Sequence, residues 1–198
     1  FQWNTESIIE QVRAQNYKIV FICSPANPTG QVLPTQQLLQ LSESLQNQCV
    51  VVIDEAYAEY SQSSSALALM QQFPHLVVLN TLSKAHALAG TRIGCVIANA
   101  ELIAVLKACQ APYPISKPSA ELPLQAFSES ALQSTKQHIA EALTQRLWMI
   151  EKLSTLANVL CVYQTDANFI LVQFRQPEKT YQALIEQGIL VRNMAQYP

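Results

Sequence analysis

The chain predicts an α/β fold: part of a large domain built on a mainly parallel sheet, followed by part of a smaller α+β C-terminal domain. Three observations carry that expectation. Short apolar runs alternate with helical patterns through the first half, the order of a parallel sheet joined by helical crossovers. A proline-dense stretch, residues 111–123 with Pro112, Pro114, Pro118 and Pro123, then interrupts the alternation. Beyond it the order changes to one long helix, two short strands and another helix. At 198 residues, 49% apolar and 13% charged, the chain is long and apolar enough to bury a sizeable core.

Residues 18–23 (KIVFIC) are mostly β-branched or aromatic and stop at Ser24-Pro25, so a strand is expected there. Pro34-Thr35 caps a helix expected over 36–46, where Leu38, Leu39 and Leu45 fall at helical spacing. Residues 50–53 (VVVI) form an unbroken β-branched run, as in a strand buried on both faces. A helical stretch over 65–72 leads to a strand over 76–80 (LVVLN). Residues 93–98 (IGCVIA) are a fourth strand and the candidate for a reversed one, and 101–108 a short helix. Helices are expected on both faces of this sheet. The four prolines leave no regular element in 111–123.

The expected organisation is therefore 1–111 as part of the large domain, 112–129 as a hinge and 130–198 as a partial small domain. Within the last, 130–156 reads as an amphipathic helix with Leu132, Ile139, Leu143, Leu147, Ile150 and Leu153 on one broad face. Strands are expected at 159–163 and 168–174, a helix over 178–187 ended by Gly188, and a last short strand at 189–191.

Several function classes start low. A net charge of -2 exerts no broad pull on nucleic acid or an anionic membrane. No apolar run approaches the ~20 residues that span a bilayer, and FQWNTESIIEQV at the start is not a secretory pattern. Cys23, Cys49, Cys95, Cys109 and Cys161 are odd in number and lack C-x-x-C spacing, which points to a reducing cytoplasm. His75, His86 and His138 are scattered, so no metal is expected. The chain opens on Phe1 and stops at Tyr197-Pro198 just after a strand-like run, and both ends read as cut from a longer protein.

Three segments carry chemistry, each at the carboxyl end of an expected strand, where open α/β sheets bind their ligands. They are SPANPTG at 24–30, DEAY at 54–57 and TLSKAHALAGTRIG at 81–94. Singly, each has a plain structural reading: a turn, a helix cap, solvated charge. Their shared position after buried strands makes that reading insufficient. Of only four glycines, Gly30, Gly90, Gly94 and Gly188, three fall inside these segments.

Together with ANFILV and GILVRN, these motifs span the chain and resemble those of the fold-type I, pyridoxal-phosphate-dependent aminotransferases of class I/II. The resemblance implies pyridoxal 5'-phosphate as cofactor, held as a Schiff base by Lys84, an amine suited to proton transfer in a low-dielectric pocket. It implies Asp54 as the acidic partner of the pyridine nitrogen, with Tyr57 and Asn27 as hydrogen-bond donors to the phenolic oxygen. Ala56 suits the face of a flat ring. Arg92, Ser83 and Thr81 are implied as phosphate ligands, Asn27 and Arg192 as substrate contacts, and His86 as a packing residue. The Asn27-Pro28 peptide is implied to be cis, with Asn27 facing inward.

The reaction implied is transfer of the amino group of a phosphorylated amino alcohol to 2-oxoglutarate, by a homodimer. A lyase resembling threonine-phosphate decarboxylase uses the same lysine, aspartate and arginines, and aminotransferases of aromatic amino acids share the first portion. A non-catalytic cofactor-binding module of a regulator is a further alternative, and it needs an attached DNA-binding domain. The resemblance also implies an N-terminal portion with a phosphate-binding glycine turn and a ring-stacking aromatic, plus a final strand with a second arginine. Without them the fragment itself is expected to be inactive.

Overall fold

A computed structural model of the chain describes residues 2–195. Phe1 and the Tyr197-Pro198 step lie outside the described residues, as do the last three positions of the expected small domain. Strands β1 (Ile19–Cys23), β2 (Val50–Asp54), β3 (Leu76–Thr81) and β4 (Gly94–Ile97) form one sheet in that order. β1, β2 and β3 run parallel and β4 is antiparallel to β3, so the expected reversal is found.

Helices α1 (Thr5–Gln15) and α2 (Thr35–Leu45) cover one face of this sheet. Ile9 and Val12 of α1 join Leu38, Leu41 and Leu45 of α2 over Ile22, Val51, Ile53, Leu76 and Val78. The expected helix α2 starts one residue early. Its N-cap is Pro34, with no side-chain cap bond, so Thr35 is the first helical residue and not the cap. Helix α1 was not expected, although its signals are present. Asn4 accepts from the Ser7 N–H at 3.0 Å, Ile8, Ile9 and Val12 fall at helical spacing, and Asn16 closes the helix in the left-handed region at φ 53°. Arg13 ties α1 to α2 by donating to the Ser44 carbonyl at 2.8 Å.

Residues alternating onto the other face are unevenly covered. Val52 and Val77 in the centre are 5% exposed, whereas Phe21 beside them is 67% exposed. Helices on both faces were expected. Both helices that supply this core lie on the same face, and no residue of the helices α3 (Ala100–Cys109), α5 (Glu129–Ser154) or α6 (Pro177–Glu186) is buried.

Other differences have local causes. Residues 65–72 form only a 3-10 segment, Ala66–Leu69, at whose start the Glu55 carboxylate binds both the Ser65 hydroxyl and the Ala66 N–H. The proline-dense stretch does contain a helix, α4 (Lys117–Ala126). Ser116 caps it, and Pro118 sits in the first turn, where no N–H is required. Pro123 is the interior exception and is buried. The broad apolar face of α5 is half-buried at Leu132, Ile139, Leu143, Ile150 and Leu153, but Leu147 is exposed.

β5 (Val159–Val162) and β6 (Val172–Phe174) pair antiparallel as a second sheet. β6 is shorter than expected: the Leu171 carbonyl still accepts from the Tyr163 N–H at 3.0 Å, but Phe169 turns to Tyr57 of the first unit, as described below. Gly188, at φ +75°, follows the end of α6 as expected, and its N–H bonds the Ile185 carbonyl at 2.8 Å. No strand forms at 189–191. The Ile189 N–H is spent on the Leu184 carbonyl in the helix end, and Leu190 is 84% exposed with no ladder beside it. No helix among the described residues is long and apolar enough to cross a membrane.

Leu41 is wholly buried between α1, α2 and the sheet. Leu41→Ala should lower the unfolding free energy by about 2–5 kcal/mol through lost transfer energy and the cavity left behind. Leu41→Met, which conserves volume, should cost less than about 1.5 kcal/mol. Urea denaturation of both variants checks the difference.

Candidate active site

Parallel pairing sets Cys23, Asp54 and Leu79 side by side at the carboxyl edge of the sheet. The loop after β1 is bound to that edge. Its Ser24 N–H donates to the Asp54 carbonyl at 2.9 Å, and the Ser24 hydroxyl accepts from the Leu33 N–H at 2.9 Å. The Asn27-Pro28 bond is cis as expected, and so is Ser24-Pro25. Gly30 adopts φ +74°, and its N–H bonds the Ala26 carbonyl at 2.6 Å. A side chain at Gly30 would run into Thr165.

Within DEAY the two acids diverge, as alternation along a strand requires. Asp54 is half-buried and faces the cleft, where Oδ1 accepts from the Ala56 N–H at 3.0 Å. Glu55 is 5% exposed and points away, accepting from Ser65 Oγ at 2.6 Å and the Ala66 N–H at 2.7 Å. Tyr57 Oη accepts from Asn27 Nδ2 at 3.0 Å. Its ring lies 5.2 Å from Lys84 Nζ and meets Phe169 edge-on, with centroids 5.0 Å apart at 86°.

The third segment leaves the sheet at Thr81 and returns at Gly94, and these two residues pair across β3 and β4. The loop is thereby anchored at one point of the edge, with Leu82 N–H on the Ile93 carbonyl at 3.3 Å. Thr81 Oγ1 donates to Ser83 Oγ at 2.9 Å and accepts from the Ser83 N–H at 3.1 Å, a hydroxyl pair beside Lys84. Ala87 and Arg92 both occupy the left-handed region, at φ 56° and 57°. Strain of that kind in a non-glycine residue gathers at functional sites. Arg92 is exposed and donates from Nη1 to the Ala89 carbonyl at 3.1 Å. The glycines divide: a Cβ at Gly94 would lie 3.1 Å from the Asn80 carbonyl oxygen, whereas Gly90 meets nothing within 4 Å. Nothing packed around position 90 therefore requires a glycine there.

The first two segments enclose a cleft of about 200 Å³ lined by Cys23, Pro25, Asn27, Asp54, Ala56 and Tyr57, whereas Thr81, Ser83, Lys84 and Arg92 are not among its lining residues. Burial, and then the neighbouring Asp54 carboxylate, push the Cys23 thiol above its ordinary value. A larger groove of about 460 Å³ lies beside Trp3, Asn4, Gln37 and Gln40, at the starts of α1 and α2, and shares no lining residue with the cleft. His86 packs against Phe127, centroids 5.2 Å apart, in keeping with a packing role. Arg192 lies in exposed, irregular chain after α6 and is not among the residues lining the cleft. The motifs did not single out Phe169, which touches Tyr57 from the second unit; its signal was its place in ANFILV.

The donor set suits the cofactor implied by the sequence. A carboxylate with spare acceptor capacity, a phenol bound to an amide and a small alanine meet in one cleft, and the exposed Lys84 amine stands over the phenol ring with the Thr81–Ser83 hydroxyl pair next to it in the chain. The sequence profile of class I and II aminotransferases matches residues 1–198. The chain is 46% identical, over all 198 of its residues and 54% of the relative, to histidinol-phosphate aminotransferase of Xanthomonas euvesicatoria pv. vesicatoria strain 85-10. It thus spans about half the length of the curated relatives it matches. Among solved structures it is similar to a decarboxylase from Sulfurospirillum multivorans, with TM-score 0.85 and 23% identity over 98% of this chain and 58% of that one. It is also similar to histidinol-phosphate aminotransferase from Sinorhizobium meliloti in complex with pyridoxal-5'-phosphate, with TM-score 0.80 and 20% identity over 97% and 54%.

The site makes one test possible without any ligand. Because its pKa is raised, Cys23 carries less thiolate at pH 8 than an unperturbed thiol and should be alkylated more slowly. Asp54→Asn removes the charge that contributes to the shift, so the midpoint of the rate-against-pH curve should move down. The rate at pH 8 should rise. Mass-spectrometric alkylation kinetics at Cys23 check both directions.

Proposed function

The chain belongs to the class I and II aminotransferases, and on that footing we propose that the full-length protein transfers the amino group of histidinol phosphate to 2-oxoglutarate, using pyridoxal 5'-phosphate, in histidine biosynthesis. The observation that carries the substrate is the 46% identity, along the whole chain, to a histidinol-phosphate aminotransferase. Likeness to the decarboxylase at 23% identity concerns the fold and does not favour a lyase.

The cofactor supplies an electron sink for the bond broken at the substrate's α-carbon. The other parts of the reading belong to this chain's residues. Lys84 is the amine that holds the cofactor and then carries the α-proton, so nucleophile and base are one group. Asp54 holds a proton at the pyridine nitrogen, and its remaining acceptor positions suit that task. Tyr57, with Asn27 bonded to it at 3.0 Å, directs its hydroxyl to the phenolic oxygen and stabilises negative charge there. Ala56 leaves room for the ring. Thr81, Ser83 and Arg92 take the cofactor's phosphate, where a guanidinium can bind in a fork. Asn27 and Arg192 meet the substrate, the arginine through an anionic group.

The domain limits proposed are 1–111, 112–129 and 130–198, supported by the separate sheets β1–β4 and β5–β6. The reading extends to a cytoplasmic homodimer with small-molecule substrates only. Exposed apolar side chains such as Phe21 and Val96 are of the kind an assembly covers.

Glutamate formation by the full-length gene product from histidinol phosphate and 2-oxoglutarate tests the reading, with carbon dioxide release from phosphothreonine as the competing outcome. Lys84→Ala should reduce turnover by several orders of magnitude and remove the visible absorbance of the bound cofactor. Asp54→Ala should retain cofactor while turnover falls by about 10³-fold or more, since a close counter-charge can be worth several pKa units. Arg92→Ala should chiefly weaken cofactor affinity, by about 10- to 100-fold for a charge-assisted contact. Equilibrium dialysis separates the last two variants.

A further inference from the structure

Arg146 is half-buried in the middle of α5, yet neither ion pair among the described residues involves it. Its guanidinium is committed to a neutral group, donating from Nη1 to the Ala167 carbonyl at 2.7 Å, while Nε is buried without a partner. A buried charge without a carboxylate beside it is costly to keep. The carbonyl it holds belongs to a segment with an unusual set of contacts.

That segment, 165–169, is packed hard: Thr165 is 9% and Ala167 0% exposed, and Thr165 Oγ1 accepts from the Ala167 N–H at 3.0 Å. It reaches from the second unit to the loop that carries Asn27 and to Tyr57. The Asp166 N–H donates to the Gly30 carbonyl at 2.7 Å, at the end of the Asn27 loop. Phe169 sets its ring edge-on to Tyr57, 5.0 Å away. Asn27 and Tyr57 are bonded to each other at 3.0 Å, so both members of that pair are braced by one five-residue segment.

We propose that Arg146 is a positioning residue for the Asn27–Tyr57 pair, acting through the Ala167 carbonyl to hold 165–169 against Gly30 and Tyr57. The proposal rests on the reading above, in which that pair faces the cofactor's phenolic oxygen. Arg146 touches neither substrate nor cofactor. It keeps the two donors aligned, and it couples the second unit to the first.

The test uses the full-length gene product and three variants: Arg146→Met, which keeps the apolar stem but no donor, Arg146→Lys, which keeps a charged donor, and Phe169→Leu. In the cofactor-free protein, hydrogen exchange of peptides covering 24–31, 54–60 and 165–170 should accelerate together in Arg146→Met, by about tenfold, and return towards the parent rate in Arg146→Lys. Acceleration confined to 165–170, or spread evenly over the chain, would overturn the proposal.

With pyridoxal phosphate added, a loosened Tyr57 stabilises phenolate less, so the associated proton is held to higher pH. The pH midpoint of the visible band should rise by about half a unit to one unit in Arg146→Met and in Phe169→Leu. It should rise no further when the two are combined. A midpoint unchanged in both single variants overturns the proposal. A parent protein that forms no visible band would sink the cofactor reading instead, and the exchange experiment would still decide the role of Arg146.

Discussion

Cys23, Asp54 and Leu79 stand in one row across three parallel strands, and every other feature of the site depends on that row. Parallel pairing delivers three carboxyl ends to the same edge, and each loop then starts within reach of its neighbours. A slip of one residue in β2 would turn Asp54 into the core and Glu55 into the cleft, because side chains alternate faces. The register is fixed from the other side. Val51 and Ile53 are buried under α2 together with Leu76 and Val78, so the core that stabilises the sheet also selects which carboxylate faces the ligand.

The reversed strand adds a second constraint. A parallel β4 would have carried the third segment to the far edge of the sheet. Antiparallel pairing of Thr81 with Gly94 returns the chain to its point of departure, so Lys84 and Arg92 lie on one closed excursion. Closing that loop requires two non-glycine residues in the left-handed region. The conformational energy is supplied by anchoring at both ends, and the strain falls on the arginine proposed to bind phosphate. Glu55 does comparable work nearby: buried and bound to Ser65 and Ala66, it ties down the chain that follows the Asp54–Tyr57 turn.

Much of this was legible in the sequence because it is local. Unbroken β-branched runs reveal buried strands, and the three motifs name the edge to which they belong. The misses have two physical origins. In α1 and α4 the relevant information is positional: Asn4 and Ser116 are caps, and Pro118 is harmless only because it falls in a first turn. A reading that weighs prolines by number expects no regular element where a helix forms. The brace from Thr165 to Phe169 is different in kind. Its contacts with Gly30 and Tyr57 join distant parts of the chain, and no spacing or periodicity encodes such a meeting. Strand 189–191 fails for a related reason, since a β-pattern becomes a strand only beside a partner.

The central claim is that Lys84, held at this edge above Tyr57, is the amine that carries the cofactor. Borohydride reduction of the full-length protein in the presence of pyridoxal phosphate, followed by peptide mapping, tests it directly. The account predicts a single reduced phosphopyridoxyl group on Lys84, absent when the protein is unfolded first. A group found on Lys107 or Lys117 instead, or spread over the surface lysines with Lys84 unmodified, would contradict it.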